Sequence, residues 1–132
     1  MTTFETPQQY VAAILEEVLR DERATPAALA LLDEALAHFP DAADLWCLRG
    51  DVYQLGEDDD GADYETAEVS YLKAAELDPR NPEPHESLGH LYDAIFDEPQ
   101  RAAECFRKAI ALGAGPSAHE GLAEVLAQLD EH

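Results

Sequence analysis

From Thr6 onward, apolar residues recur at three- and four-residue steps, interrupted by short polar knots rich in proline or glycine. That period belongs to amphipathic helices, not strands. Thr6-Pro7 followed by Gln9 predicts a capping box with proline at the first helical position. Val11, Ile14, Leu15, Val18 and Leu19 then form the inward stripe. Thr25-Pro26 opens a second helix in the same way, with Ala28, Leu32, Ala35 and Leu36 inward and Pro40 at its end. Asp41 is the expected cap of a third helix, which carries Leu45, Trp46, Leu48, Val52, Tyr53 and Leu55. A fourth carries Ala67, Tyr71, Leu72, Ala74 and Leu77 and stops at Asp78-Pro79. Asn81-Pro82 starts a fifth with Leu88, Leu91, Tyr92 and Ile95. A sixth follows "DEPQ" (97–100), with Ala102, Cys105, Phe106 and Ala109, and "GAGP" (113–116) breaks it. Ser117 with Glu120 predicts a second capping box, for a last helix bearing Leu122, Val125, Leu126 and Leu129. About seven helices joined by short turns, with no strand pattern, predict an all-α fold of antiparallel helix pairs.

The spacings repeat. Ala28, Leu32, Ala35 and Pro40 correspond to Ala67, Tyr71, Ala74 and Pro79, and again to Ala102, Phe106, Ala109 and Ala114. On the preceding helices Trp46, Arg49, Gly50 and Tyr53 correspond to His85, Leu88, Gly89 and Tyr92. This pattern resembles the tetratricopeptide repeat (TPR) family, whose unit places a large residue, Leu-Gly and an aromatic on one helix. Its second helix carries small and aromatic residues, and a proline follows. The resemblance implies a right-handed α-solenoid, a single TPR-like domain over 1–132. Its repeats would fall near 7–40, 41–79 and 80–114, with a capping helix at 117–130. Some positions depart from the pattern. The first unit has Leu15 and Leu19 but Glu16 where glycine is usual, and Arg49 stands where leucine is usual. "GEDDDGAD" (56–63) lengthens the second unit, and one extra residue near Phe96-Asp97 lengthens the third.

Charge narrows the partners. The chain has 29 acidic and 8 basic residues, a net charge of −21. Such a chain repels phosphate backbones and anionic membranes and attracts basic proteins. The same acidity also fits general solubility or adaptation to a salty cytoplasm. There is no run of 18 apolar residues, and "MTTFETPQQY" lacks the basic-then-apolar pattern of a signal peptide. Cys47 and Cys105 have no CxxC partner and are expected as reduced thiols, consistent with a cytoplasmic location.

Candidate chemistry is sparse. His85 and His90 are five residues apart, whereas two zinc ligands on one helix face need a separation of four. An EF-hand register around Gly61 would place Gly56 and Ala67 at ligand positions, so that loop fails. Asp58, Asp59 and Asp60 remain as at most a weak divalent-ion site in a solvated loop. No nucleophile elbow, phosphate loop or dinucleotide motif occurs. Cys47 has acidic surroundings that would raise its pKa, not activate it. The expectation is therefore a non-enzymatic chain with no cofactor, no metal and no catalytic residue.

In the family that the sequence resembles, the first helix of each pair lines a concave groove. Carried over residue by residue, that groove comprises Tyr10, Ile14, Glu17, Asp44, Leu48, Asp51, Leu55, Glu83, Glu86, His90 and Asp93. Glu120 and Glu124 on the last helix join them. The resemblance thus implies a scaffold or adaptor holding a basic or mixed basic-apolar protein segment, with Tyr10, Ile14, Leu48 and Leu55 as apolar anchors. The lysine, arginine and asparagine clamp by which some repeats hold a C-terminal carboxylate is absent from these positions. The alternative is a dedicated chaperone or accessory subunit shielding an apolar client. A homodimer through the N-terminal helix is the other alternative, because Phe4, Tyr10, Val11, Ile14 and Val18 spread apolar character over a wide arc of it.

Overall fold

Prolines punctuate the helices. In the computed structural model, which describes residues 4–55 and 62–130, seven helices and no strand occur among the described residues. They are α1 (Pro7–Asp21), α2 (Pro26–His38), α3 (Ala43–Leu55), α4 (Tyr64–Leu77), α5 (Pro82–Ala94), α6 (Pro99–Ala111) and α7 (Pro116–Asp130). Five of the seven begin at a proline, whose fixed φ and missing N–H suit the first helical position. The fold is all-α. The connections 22–25, 39–42, 78–81, 95–98 and 112–115 are each four residues long. Only 56–63 is longer, and the acidic stretch 56–61, with Asp58, Asp59 and Asp60, lies outside the described residues.

Side-chain caps supply the backbone partners that helix starts lack. Thr6 Oγ1 accepts from Gln9 N–H at 3.2 Å while Gln9 Oε1 accepts from Thr6 N–H at 3.2 Å, completing the expected box. Thr25 Oγ1 accepts from Ala28 N–H at 3.1 Å, and Asn81 Oδ1 from Glu83 N–H at 3.0 Å. Two other expectations need correcting. The Ala42 carbonyl accepts the first bonds of α3, from Leu45 and Trp46, so Asp41 lies one residue outside the helix start. Pro116 takes the first position of α7, which puts Ser117 inside the helix and leaves it no capping role. Asp63, at the end of the 56–63 connection, caps α4. Its Oδ1 accepts from Thr66 N–H at 2.9 Å and its Oδ2 from the Thr66 hydroxyl at 2.6 Å.

The chain divides into two compact units, Met1–Leu77 and Asp78–His132. In the first, α1 packs on α2 and α3, and α4 packs on α3. Its core includes Tyr10, Ile14, Leu32, Leu45 and Val52. Burying each large apolar side chain contributes about 1.5–3 kcal/mol. In the second unit α6 packs between α5 and α7, and α5 also touches α7. One device serves both units. The Tyr71 ring lies over Gly50, where an added Cβ would sit 2.6 Å from Cε1. The Phe106 ring lies over both Gly89 and Gly121. The close approach at Gly50 and Gly89 is what the repeated spacing predicts, and Gly121 adds a third contact of the same kind.

No described helix is long and apolar enough to cross a membrane.

Candidate protein-binding surface

Within the first unit the expected groove positions are largely occupied by the protein itself. Tyr10 and Ile14 are wholly buried and Leu48 nearly so, and none of the three can anchor a ligand. Tyr10 meets Phe4 edge-on at 5.0 Å and Phe39 at 6.1 Å. Burial, with the Glu34 carboxylate as a second cause, raises its hydroxyl pKa.

For Tyr10 and Ile14 the reason is a shift of the α1 register by one residue. Fourteen residues separate Ile14 from Ala28 and Val18 from Leu32, as they separate Leu88 from Ala102 and Tyr92 from Phe106. The α1–α2 turn is thus as long as the α5–α6 turn, and each contains a non-glycine residue in the left-handed region, Glu22 (φ 55°) or Asp97 (φ 53°). Val11, Ile14 and Val18 therefore turn inward. Leu15 and Leu19, expected in the core, are exposed by 40% and 72%. By the α5 spacing, the α1 residues equivalent to Glu83, Glu86, His90 and Asp93 are Gln9, Ala12, Glu16 and Leu19, all exposed. Glu17 is half-buried, with Oε1 3.8 Å from Arg20 Nη1.

On α3, Asp44 and Leu55 are exposed. Asp51 is exposed as well, but its Oδ1 accepts a hydrogen bond from the Tyr71 hydroxyl, which in turn accepts from Gln54 Nε2 at 2.7 Å. Burial and the Asp51 charge raise the Tyr71 pKa strongly. This carboxylate holds the α3–α4 pair together. Arg49 explains its own departure from leucine. Its Nη1 donates to Ser70 Oγ at 2.8 Å, and its guanidinium lies 4.9 Å from the Tyr53 ring centroid and 5.6 Å from that of Trp46. Ser70 is wholly buried, and its hydroxyl donates a hydrogen bond to the Thr66 carbonyl at 2.8 Å. Trp46 three residues before Arg49 and Tyr53 four after it were the sequence signal for this site. A cleft of about 350 Å³ opens beside Arg49, lined by Asp63, Glu65, Thr66 and Val69.

The second unit brings its expected residues together. Glu83, Glu86, His90 and Asp93 recur at three- and four-residue steps and share one face of α5. Glu120, Glu124 and Gln128 share one face of α7. Gln128 Nε2 donates to Asp93 Oδ1 at 3.0 Å, joining the two faces near the C-terminal ends of both helices. The two stripes thus meet at the C-terminal ends of α5 and α7. The His90 ring stands edge-on to Phe106 at 5.0 Å, with Nε2 4.0 Å from Glu86 Oε1. Neither α5 nor α7 contains a lysine or arginine, whereas α6 carries Arg101, Arg107 and Lys108. Among the three helices of the unit, lysine and arginine are therefore confined to α6, which also carries Glu104. His85 points away from this face, and burial and then the Lys108 charge lower its pKa. Among the described residues no group of three His, Cys, Asp or Glu is arranged to hold a metal ion.

No protein-family model matches the chain, and no curated protein is significantly similar to it.

Proposed function

We propose that the chain is a non-enzymatic, TPR-like interaction module that holds a basic or mixed basic-apolar segment of another protein against α5 and α7. The observation that carries this reading is the confinement of lysine and arginine to α6 among the three helices of the second unit. Acidity spread only for solubility would leave cations scattered over all three helices. Instead Glu83, Glu86, Asp93, Glu120 and Glu124 line a surface with no lysine or arginine. Each exposed pair with a ligand cation contributes about 0.2–1 kcal/mol. Several such pairs give modest affinity, fast association and strong salt dependence. His90, edge-on to Phe106, adds a partly apolar ring to this acidic face.

A labelled peptide of alternating arginine and leucine, titrated with the full chain and followed by fluorescence anisotropy, tests the reading. Binding should weaken with added salt. Glu86→Lys combined with Glu124→Lys should weaken it by about tenfold or more, the loss of two or more such pairs. Glu65→Lys combined with Glu76→Lys, the same charge change on α4, should alter it far less. Equal weakening by both variants would assign the attraction to total charge and remove α5 and α7 from the account.

A further inference from the structure

The exposed face of α1 has a different character from the acidic faces of α5 and α7. Ala12, Leu15 and Leu19 lie along it at three- and four-residue steps, and Leu19 is 72% exposed. Around them stand Glu16, Arg20, Glu22 and Arg23, two acids and two bases. On a chain of net charge −21 these four charges are balanced, so a close contact here sets neither sign of charge against its like.

The patch is complementary to itself. We infer that this face of α1 is a two-fold interface between two copies of the chain, with the α1 helices antiparallel. Turned about residue 17, Leu15 of each copy meets Leu19 of the other, and Glu16 comes beside Arg20. Within one copy the same carboxylate and guanidinium already pair across one helical turn, Glu16 Oε1 to Arg20 Nη2 at 3.6 Å, with both side chains mostly exposed. Exchange of this pair between copies needs only rotamer changes. Two-fold contacts are the ones in which a single patch serves both partners.

Size and charge set the behaviour of the dimer. A helix of 15 residues is about 22 Å long. One such pair falls short of the roughly 1,200–2,000 Å² buried by a stable interface, so the dimer forms only as concentration rises. Two chains of −21 also repel, and salt screens that repulsion. Added salt therefore strengthens this contact, the opposite of its effect on the acidic faces of α5 and α7. The inference is independent of the proposed function, since α1 belongs to the first unit and α5 and α7 to the second.

Sedimentation equilibrium of the full chain at several loading concentrations, in low and high salt, tests it. The dimer fraction should rise with both concentration and salt. Leu19→Glu should leave a monomer throughout with an unchanged circular-dichroism melt. Arg20→Glu should weaken the dimer by about threefold to tenfold, and Glu16→Arg with Arg20→Glu should restore it, because the swap preserves both pairs. A monomer at every concentration in high salt would overturn the inference. So would a dimer that survives Leu19→Glu, or an Arg20→Glu defect that the swap fails to repair.

Discussion

The ring of Phe106 fills the space in which a side chain at residue 89 would begin. A Cβ on Gly89 would lie 2.7 Å from Cε1 of Phe106, closer than van der Waals contact permits. The same ring covers Gly121, where the corresponding distance is 2.6 Å, so one aromatic seats both α5 and α7 on α6. The acidic stripes of α5 and α7 are brought side by side by this contact.

Gly89→Ala sets two effects against each other. Alanine improves helix propensity by about 1 kcal/mol. Overpacking against a wholly buried ring costs about 1–3 kcal/mol. The net loss should be up to about 2 kcal/mol in urea denaturation. Combining Gly89→Ala with Phe106→Leu should recover part of the loss, as residues in direct contact couple. A variant as stable as the parent would show that the ring moves aside freely.

Arg49 should resist conservative replacement. Its hydrogen bond to buried Ser70 is charge-assisted and contributes about 1.5–3 kcal/mol. Stacking on Tyr53 and Trp46 adds about 0.5–1 kcal/mol. Arg49→Lys should recover little of what Arg49→Ala loses, since an ammonium cannot lie flat on both rings. Denaturant midpoints of the two variants check this, and full rescue by lysine would contradict the stacked geometry.

Asp63 makes stability depend on acid pH. The two hydrogen bonds from Thr66, followed by the Arg49 charge, hold its carboxyl below the ordinary aspartate range despite slight desolvation. The folded pKa is depressed, so the stabilisation is present above the unfolded value of about 4. It is lost as pH falls through the folded pKa. Carbon-detected NMR titration should place Asp63 below the ordinary aspartate value of about 4, and Thr66→Val should move it upward. No movement would remove Thr66 as the cause.

Thr25→Ala should cost about 1 kcal/mol, because it leaves the Ala28 N–H at the start of α2 without its partner. Ser117→Ala should cost little, since α7 begins at Pro116 and Ser117 lies within its first turn. Thermal denaturation distinguishes the two, and equal losses would return the cap of α7 to Ser117.

Helix number and the starts of α1, α2 and α5 were legible because Thr-Pro and Asn-Pro act locally, whereas the starts of α3 and α7 were each misplaced. The recurrence of Gly50 as Gly89 and of Tyr71 as Phe106 was legible in the spacing, but which ring covers which glycine was not. The facing of α1 was not. Val11, Ile14, Leu15, Val18 and Leu19 make an apolar arc broad enough to satisfy two registers, and periodicity alone cannot choose between them. The length of the turn at 22–25 chooses, and it sends Tyr10 and Ile14 into the core. Asp51 was read as a ligand carboxylate because its tie to the Tyr71 hydroxyl crosses twenty residues of sequence. Helix period alone puts Glu86, His90 and Asp93 on one face and Glu120 and Glu124 on another, whereas grouping the two faces came from the resemblance to repeat proteins.

The central claim is that α5 and α7 together form the binding face. Backbone NMR of the full chain, titrated with the arginine-leucine peptide at low salt, tests it most directly. The account predicts that the shifts concentrate at Glu83, Glu86, His90, Asp93, Glu120 and Glu124 and leave Arg107 and Lys108 on α6 unmoved. Shifts spread evenly over all seven helices, or confined to α1 and α4, would contradict it.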